Sequence, residues 1–144
     1  LPGYASLAVY PYEKEEIVAI CRPEHPLMQS GSIIDISLLA DYPLAVPFDC
    51  LDLVRSSFGH HLLAPNISII TSSNATAIEW ARSFKTVALA SLTAADFQHI
   101  RDLTVKHFSD ENLFITSAFI VNKEYPLSHA ARNFLRFHGV EGGG

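Results

Sequence analysis

Three small polar side chains stand in a row at Ser72-Ser73-Asn74, between the apolar run Ile67–Thr71 and a helix-forming stretch over 75–82. A strand that stops at cap-competent residues and restarts as a helix leaves the first-turn N–H groups without intrahelical partners. It also places the positive end of the helix dipole there. Such a joint can seat a carboxylate or another anion, and in open α/β sheets ligands lie beyond the carboxyl ends of the strands. Plain helix capping, which needs no ligand, explains the same residues, and both readings stand. Phe48, Asp49 and Cys50 follow a second apolar run over 43–47 (PLAVP). An aromatic and a thiol suit the wall of a small apolar pocket; an ordinary turn with Asp49 as cap is the plainer account. Ser91 and Thr93, just after the run at 87–90 (VALA), form a third strand-end pair with the same two readings. The candidate ligand-binding residues are therefore Ser72, Ser73, Asn74, Phe48, Asp49 and Thr93.

Other chemistry finds less support. A reactive thiol needs exposure and an electropositive setting. Cys21 ends an apolar run and reads as inert core, and the charge of Asp49 opposes a thiolate at Cys50. His60 and His61 are adjacent, so on a helix they point apart and do not share one metal ion. The chain contains no nucleophile elbow, phosphate-binding loop, dinucleotide fingerprint or His-Glu-x-x-His pair. No catalytic residue, metal or cofactor is expected, and the chain is read as a binding module and not as an enzyme.

The bulk composition agrees. The 144 residues are the length of one domain, and 49% are hydrophobic, enough to bury a core. The net charge of −5, with scattered Lys and Arg, argues against a phosphate-gripping surface. Two cysteines are too few for a disulfide scaffold. No apolar run approaches the roughly 20 residues needed to cross a bilayer, and no signal peptide opens the chain. A reducing cytoplasm, without membrane contact, is the expected setting.

The elements that would position the candidate residues follow from short-range patterns. Residues 1–12 mix Pro, Gly, Ser and aromatics and read as extended. Strands are expected at 15–21, 43–47, 67–71, 87–90, 103–107 and 113–121, each rich in Val, Ile, Leu or Ala. Asp35 caps one or two helical turns over 36–40. Leu51, Val54, Phe58 and Leu62 recur at steps of three and four, which gives a helix with one apolar face, ended by Pro65-Asn66. Further helices are expected over 75–82, 92–97 and 127–137, the last capped by Ser128. Strands alternating with helices imply βαβ units and a mainly parallel α/β sheet.

The order of these signals resembles the effector-binding domain of LysR-type transcriptional regulators. Residues 15–27 (EEIVAICRPEHPL) resemble the family's strand followed by its P-x-H-P-L loop. Residues 36–44 (ISLLADYPL), the Thr71-Ser72-Ser73-Asn74 joint with the strand at 87–90, and residues 127–135 (LSHAARNFL) match three further segments, in order. The chain departs from the family pattern at Ser83-Phe84-Lys85-Thr86, where a Gly-x-Gly turn is usual. Phe and Lys adopt a left-handed backbone less readily than glycine, so this turn must differ locally.

The resemblance implies a type 2 periplasmic-binding-protein-like fold of two subdomains. It places 22–113 in an essentially complete second subdomain. A crossing strand and remnant of the first would fill 1–21, and the return strand and last helix 114–144. The missing parts would include the winged helix-turn-helix through which DNA is reached. The truncated first subdomain predicts that both flanks are partly disordered or buried against another chain. The function implied is sensing of a small anionic metabolite between the subdomains, in a homo-oligomer for which the helix over 51–63 is a candidate partner face. A solute-binding protein of a transport system shares the fold and is the alternative. An enzyme of the same two-lobed shape, such as a porphyrin-building deaminase, would need a catalytic motif that is missing here.

Overall fold

The computed structural model describes residues 7–122, and the side chains of residues 14–115. The expected helix over 127–137 with its Ser128 cap lies outside the described residues, as do the first six residues of the opening segment and most of what was expected of the flanks. The chain divides into two units, one of residues 1–14 and 116–144, the other of residues 15–115. In the first, the described backbone is the early part of strand β1 (Leu7–Cys21) and all but the start of strand β7 (Phe114–Asn122). These two strands pair.

The second unit carries β2 (Ile33–Ile34), β3 (Leu44–Pro47), helix α1 (Leu51–Gly59), β4 (Ile67–Thr71), helix α2 (Asn74–Ser83), β5 (Val87–Leu92) and β6 (Thr104–Phe108). Its sheet runs β2-β6-β1-β5-β3-β4. The βα alternation makes β5, β3 and β4 parallel to one another, and β2 is parallel to β6. The later part of β1 lies between these two blocks and is antiparallel to both neighbours, with Ile17 opposite Ser91 and Ala19 opposite Lys106. The sheet is thus parallel on each flank and antiparallel about β1.

Helices and turns cover both faces of the central strands, which explains why 17–21 and β5 are apolar without alternation. Odd-numbered Ile17, Ala19 and Cys21 point to a core with Leu44, Val46, Val54, Phe58 and Leu89. Even-numbered Val18 and Ile20 point to the opposite core with Ala45, Ala77, Ala81, Ala88 and Ala90. Edge strand β4, covered less, alternates between partly buried and exposed side chains.

Several local expectations need correction. The helix predicted through Leu62 ends at Gly59. The Leu63 N–H returns to the Phe58 carbonyl at 3.1 Å, which requires the left-handed φ of 57° at Leu62. Leu62 accordingly leaves the apolar face and is 95% exposed. The helical turns over 36–40 form as a 3-10 turn, Ile36–Leu39, with Asp35 as cap, its carboxylate accepting from the Ser37 N–H at 2.9 Å. The helix expected over 92–97 is displaced, because β5 runs on to Leu92 and a 3-10 turn follows at Asp96–His99. Strand β2, only two residues long, lies in a stretch that carries too little pattern to be seen in the sequence.

Candidate functional site

Because β3, β4 and β5 are parallel, their carboxyl ends share one edge, and the antiparallel β1 brings Glu15-Glu16, where its later part begins, to the same edge. The Ser72-Ser73-Asn74 joint, the Phe48–Cys50 turn and Ser91 all lie there.

Ser73 is the N-cap of α2. Its backbone is extended and its Oγ accepts from the Thr76 N–H at 3.2 Å. At the end of β4, the Thr71 hydroxyl donates to the Ser73 carbonyl at 2.8 Å, which fixes the turn between strand and helix. Ser72 is exposed. Asn74 turns inward instead. Its amide Nδ2 donates to the Ser91 carbonyl at 2.8 Å and to Ser91 Oγ at 3.2 Å, and its Oδ1 accepts from the Ser91 N–H at 3.2 Å. The side chain therefore pairs with β5 much as a strand edge would, and both of its donor hydrogens are engaged within the protein.

Ser91 is 1% exposed and sits at the centre of this network. Its hydroxyl donates to Glu15 Oε2 at 3.0 Å. Cys50 also reaches Ser91, but its thiol is pushed up to about 12. Burial is the main cause and the Asp49 charge adds to it, while hydrogen bonds to Ser91 act the other way. Cys50 is thus a structural thiol. Burial likewise raises Cys21, against a smaller opposing effect of Lys106. Both cysteines are free and buried.

The remaining predicted residues are Phe48, Asp49 and Thr93. Phe48 is 73% exposed on the turn after β3, at the same strand-end edge, and Asp49 is exposed beside it. The N–H and hydroxyl of Thr93 both donate to Asp96 Oδ2 at 3.0 Å, which ties Asp96 back to the end of β5. An open groove of about 470 Å³ leads from Ser73 and Asn74 along α2, with Leu92 and Ile100 opposite and Asp96 and His99 at its edge. Arg82, further along α2, is paired with Asp102 at 2.8 Å and with Glu79. The hydrogen bond from Arg82 holds the Asp102 carboxyl below its ordinary value.

The sequence reading named Ser91 as a strand-end polar residue but did not place it at the centre, and it took Glu15 only as the start of a strand. The signal for both was their position: a carboxylate just before the apolar run 17–21 of β1 and a serine inside the apolar β5. Among the described residues, no group of three or more His, Cys, Asp or Glu is arranged to hold a metal ion. No helix among them is long and apolar enough to cross a membrane.

A family model described as LysR substrate binding domain matches residues 3–139. Comparison with curated proteins finds no match. Among solved structures, the effector binding domain of QuiR in complex with shikimate is similar at 18% identity and a TM-score of 0.72, over 96% of this chain and 66% of that one. The Synechocystis PCC6803 CcmR regulatory domain in complex with 2-PG is similar at 18% identity and a TM-score of 0.70, over 92% of this chain and 65% of that one. HinK, a LysR family transcriptional regulator from Pseudomonas aeruginosa, is similar at 14% identity and a TM-score of 0.71, over 92% of this chain and 47% of that one. The chain spans 66% or less of the length of each of these three.

Proposed function

This chain belongs to the LysR substrate binding domain family and has its type 2 periplasmic-binding-protein-like fold, and from that premise we propose that it senses a small anionic effector at the Ser73 joint. The reading is regulatory and not enzymatic. Effector binding is relayed to a DNA-binding domain outside this chain, within a homo-oligomeric cytoplasmic regulator. Residues 15–115, the unit that holds the sheet from β2 to β4, form the effector-binding subdomain, wider than the 22–113 expected from the sequence, and the flanks belong to its companion.

The observation that carries the proposal is the braced strand-end edge. Asn74 and Ser91 lock the first turn of α2 to β5, which leaves exposed Ser72 and Ser73 and the helix N-terminus facing outward. An anion gains there from first-turn N–H groups and the helix dipole. The Glu15 carboxylate on the same network favours an effector that also carries hydroxyl donors. Shikimate and 2-PG, the molecules in complex with two of the similar structures, are small and oxygen-rich, which supports the same chemical class. A ligand regulates by differential affinity for the alternative states of the regulator.

A thermal-shift screen against small carboxylates and hydroxy acids tests this. Binding to the native state stabilises by RT ln(1 + [L]/Kd), about 2.7 kcal/mol at a hundredfold excess over Kd. The expected result is a shift for a hydroxylated carboxylate that is lost in Ser73→Ala. A shift indifferent to Ser73 moves the site away from the joint and overturns this assignment.

A further inference from the structure

We propose that the opposite edge of the same sheet carries a second small-anion site, built by Arg22, His25 and Lys85. Since β1 and β5 are antiparallel, with Ile20 opposite Ala88, the residues leaving β1 lie beside those entering β5. The Ser73 joint is at the other end of β5, roughly 20 Å away for six residues at about 3.3 Å each. A cavity of about 280 Å³ opens at this edge, lined by Arg22, Glu24, His25, Pro26 and Lys85.

Each donor is set by local structure. His25 caps the Pro26–Gln29 turn, its Nδ1 accepting from the Leu27 N–H at 3.0 Å. Its ring also packs edge-on against Tyr42 with centroids 4.8 Å apart. Because Nδ1 accepts, the neutral ring carries its proton on Nε2. Among the described residues Nε2 has no hydrogen-bond partner, and no buried side-chain nitrogen or oxygen there lacks one. This N–H therefore reaches solvent on a ring that lines the cavity. Arg22 approaches Glu24 through Nε at 3.4 Å, which leaves its two Nη groups as donors. Lys85 is exposed on the turn between α2 and β5.

Among the described residues that line the cavity, two cations and an N–H donor thus stand with one carboxylate, a positive balance in a chain of net charge −5. The volume suits a single phosphate or a small di- or tricarboxylate; larger ligands need more space. Lys85 falls where the chain departs from the Gly-x-Gly turn. The structure makes that departure possible by ending α2 at Ser83 and taking Phe84 directly into extended backbone, φ −135°. Neither Phe84 nor Lys85 then needs a left-handed conformation.

The test is a ¹H–¹⁵N shift titration with inorganic phosphate and, separately, malonate, at ionic strength held constant with chloride. Saturable shifts are expected at the amides of Arg22, Glu24, His25 and Lys85, and not at Ser73 or Asn74. Lys85→Gln and Arg22→Gln, both outside the core, should each weaken binding about tenfold, the loss of one charge-assisted hydrogen bond. Saturation by only one of the two anions assigns the site to phosphate or to carboxylate. Linear shifts that chloride alone reproduces, binding unchanged in the double variant, or shifts confined to the Ser73 joint would each overturn the proposal. The last of these would leave the effector site at the joint intact.

Discussion

The two faces of the sheet are built from different material. Toward α1, the core is made of large side chains, with Phe58, Ile17, Leu44, Val46, Val54 and Leu89 fully buried. Toward α2, alanines dominate on both sides of the interface, Ala77 and Ala81 on the helix and Ala45, Ala88 and Ala90 on the strands. Large side chains bury more apolar area and supply more of the driving force for folding. Small ones let a helix sit close to the strands. That closeness lets the short side chain of Asn74 reach the backbone of Ser91 at 2.8 Å. One face mainly stabilises; the other mainly positions the site.

Breaking each face separately should expose the contrast. Phe58→Ala, which empties the α1 core, should cost about 3–5 kcal/mol in urea denaturation while leaving the effector-induced thermal shift in place at temperatures where the domain stays folded. Ala88→Leu overpacks the other face and should cost about 1–3 kcal/mol. By lifting α2 off β5, it should also abolish the effector shift. If Ala88→Leu destabilises and the shift survives, close helix packing is not what sets the site.

Asn74→Ala removes the brace without touching either core and leaves the buried Ser91 groups without their partner. A loss of about 1–3 kcal/mol is expected, together with faster amide exchange at Ser91 and loss of the effector shift. Leu62→Gly goes the other way. The left-handed backbone at φ 57° costs a leucine about 1 kcal/mol, and the side chain buries nothing, so the urea midpoint should rise slightly.

The smallest effect is one of pH, on the α1 side, where His25 packs against Tyr42. Burial holds His25 below its ordinary value of 6.5. Below that pH the unfolded chain takes up a proton that the folded ring resists, so the unfolded state binds more protons and stability rises with pH. The contribution is complete above about pH 6.5 and is lost as pH falls toward the folded value. His25→Asn, whose Oδ1 can replace Nδ1 as the Leu27 cap, should flatten that slope in melting curves between about pH 5 and 7.

What was legible in the sequence rests on local physics. Apolar runs at 17–21 and 87–90 become strands because only two covered sheet faces accept so many adjacent apolar residues, while 67–71, which alternates, becomes the edge strand β4. Ser73 and Asp35 cap because a short oxygen before an unpaired N–H has one good use. Cys21 is core because it ends such a run. Where periodicity was read too far, at Leu62, the tertiary path toward Pro65 and β4 overrode it.

By itself, the sequence determined the strand–cap–helix joint at Ser73, the α/β class and the family, since each depends on contacts within a few residues or on the order of such segments. The tertiary structure alone decided that Asn74 turns inward to Ser91, that Glu15 joins them across 76 positions of chain, and that Arg22 and Lys85 meet at the far edge. The last two meetings follow from the antiparallel placement of β1 beside β5, the first from the close packing of α2 on β5. Strand pairing of that kind is settled by the packing of the whole sheet, and no local pattern encodes it.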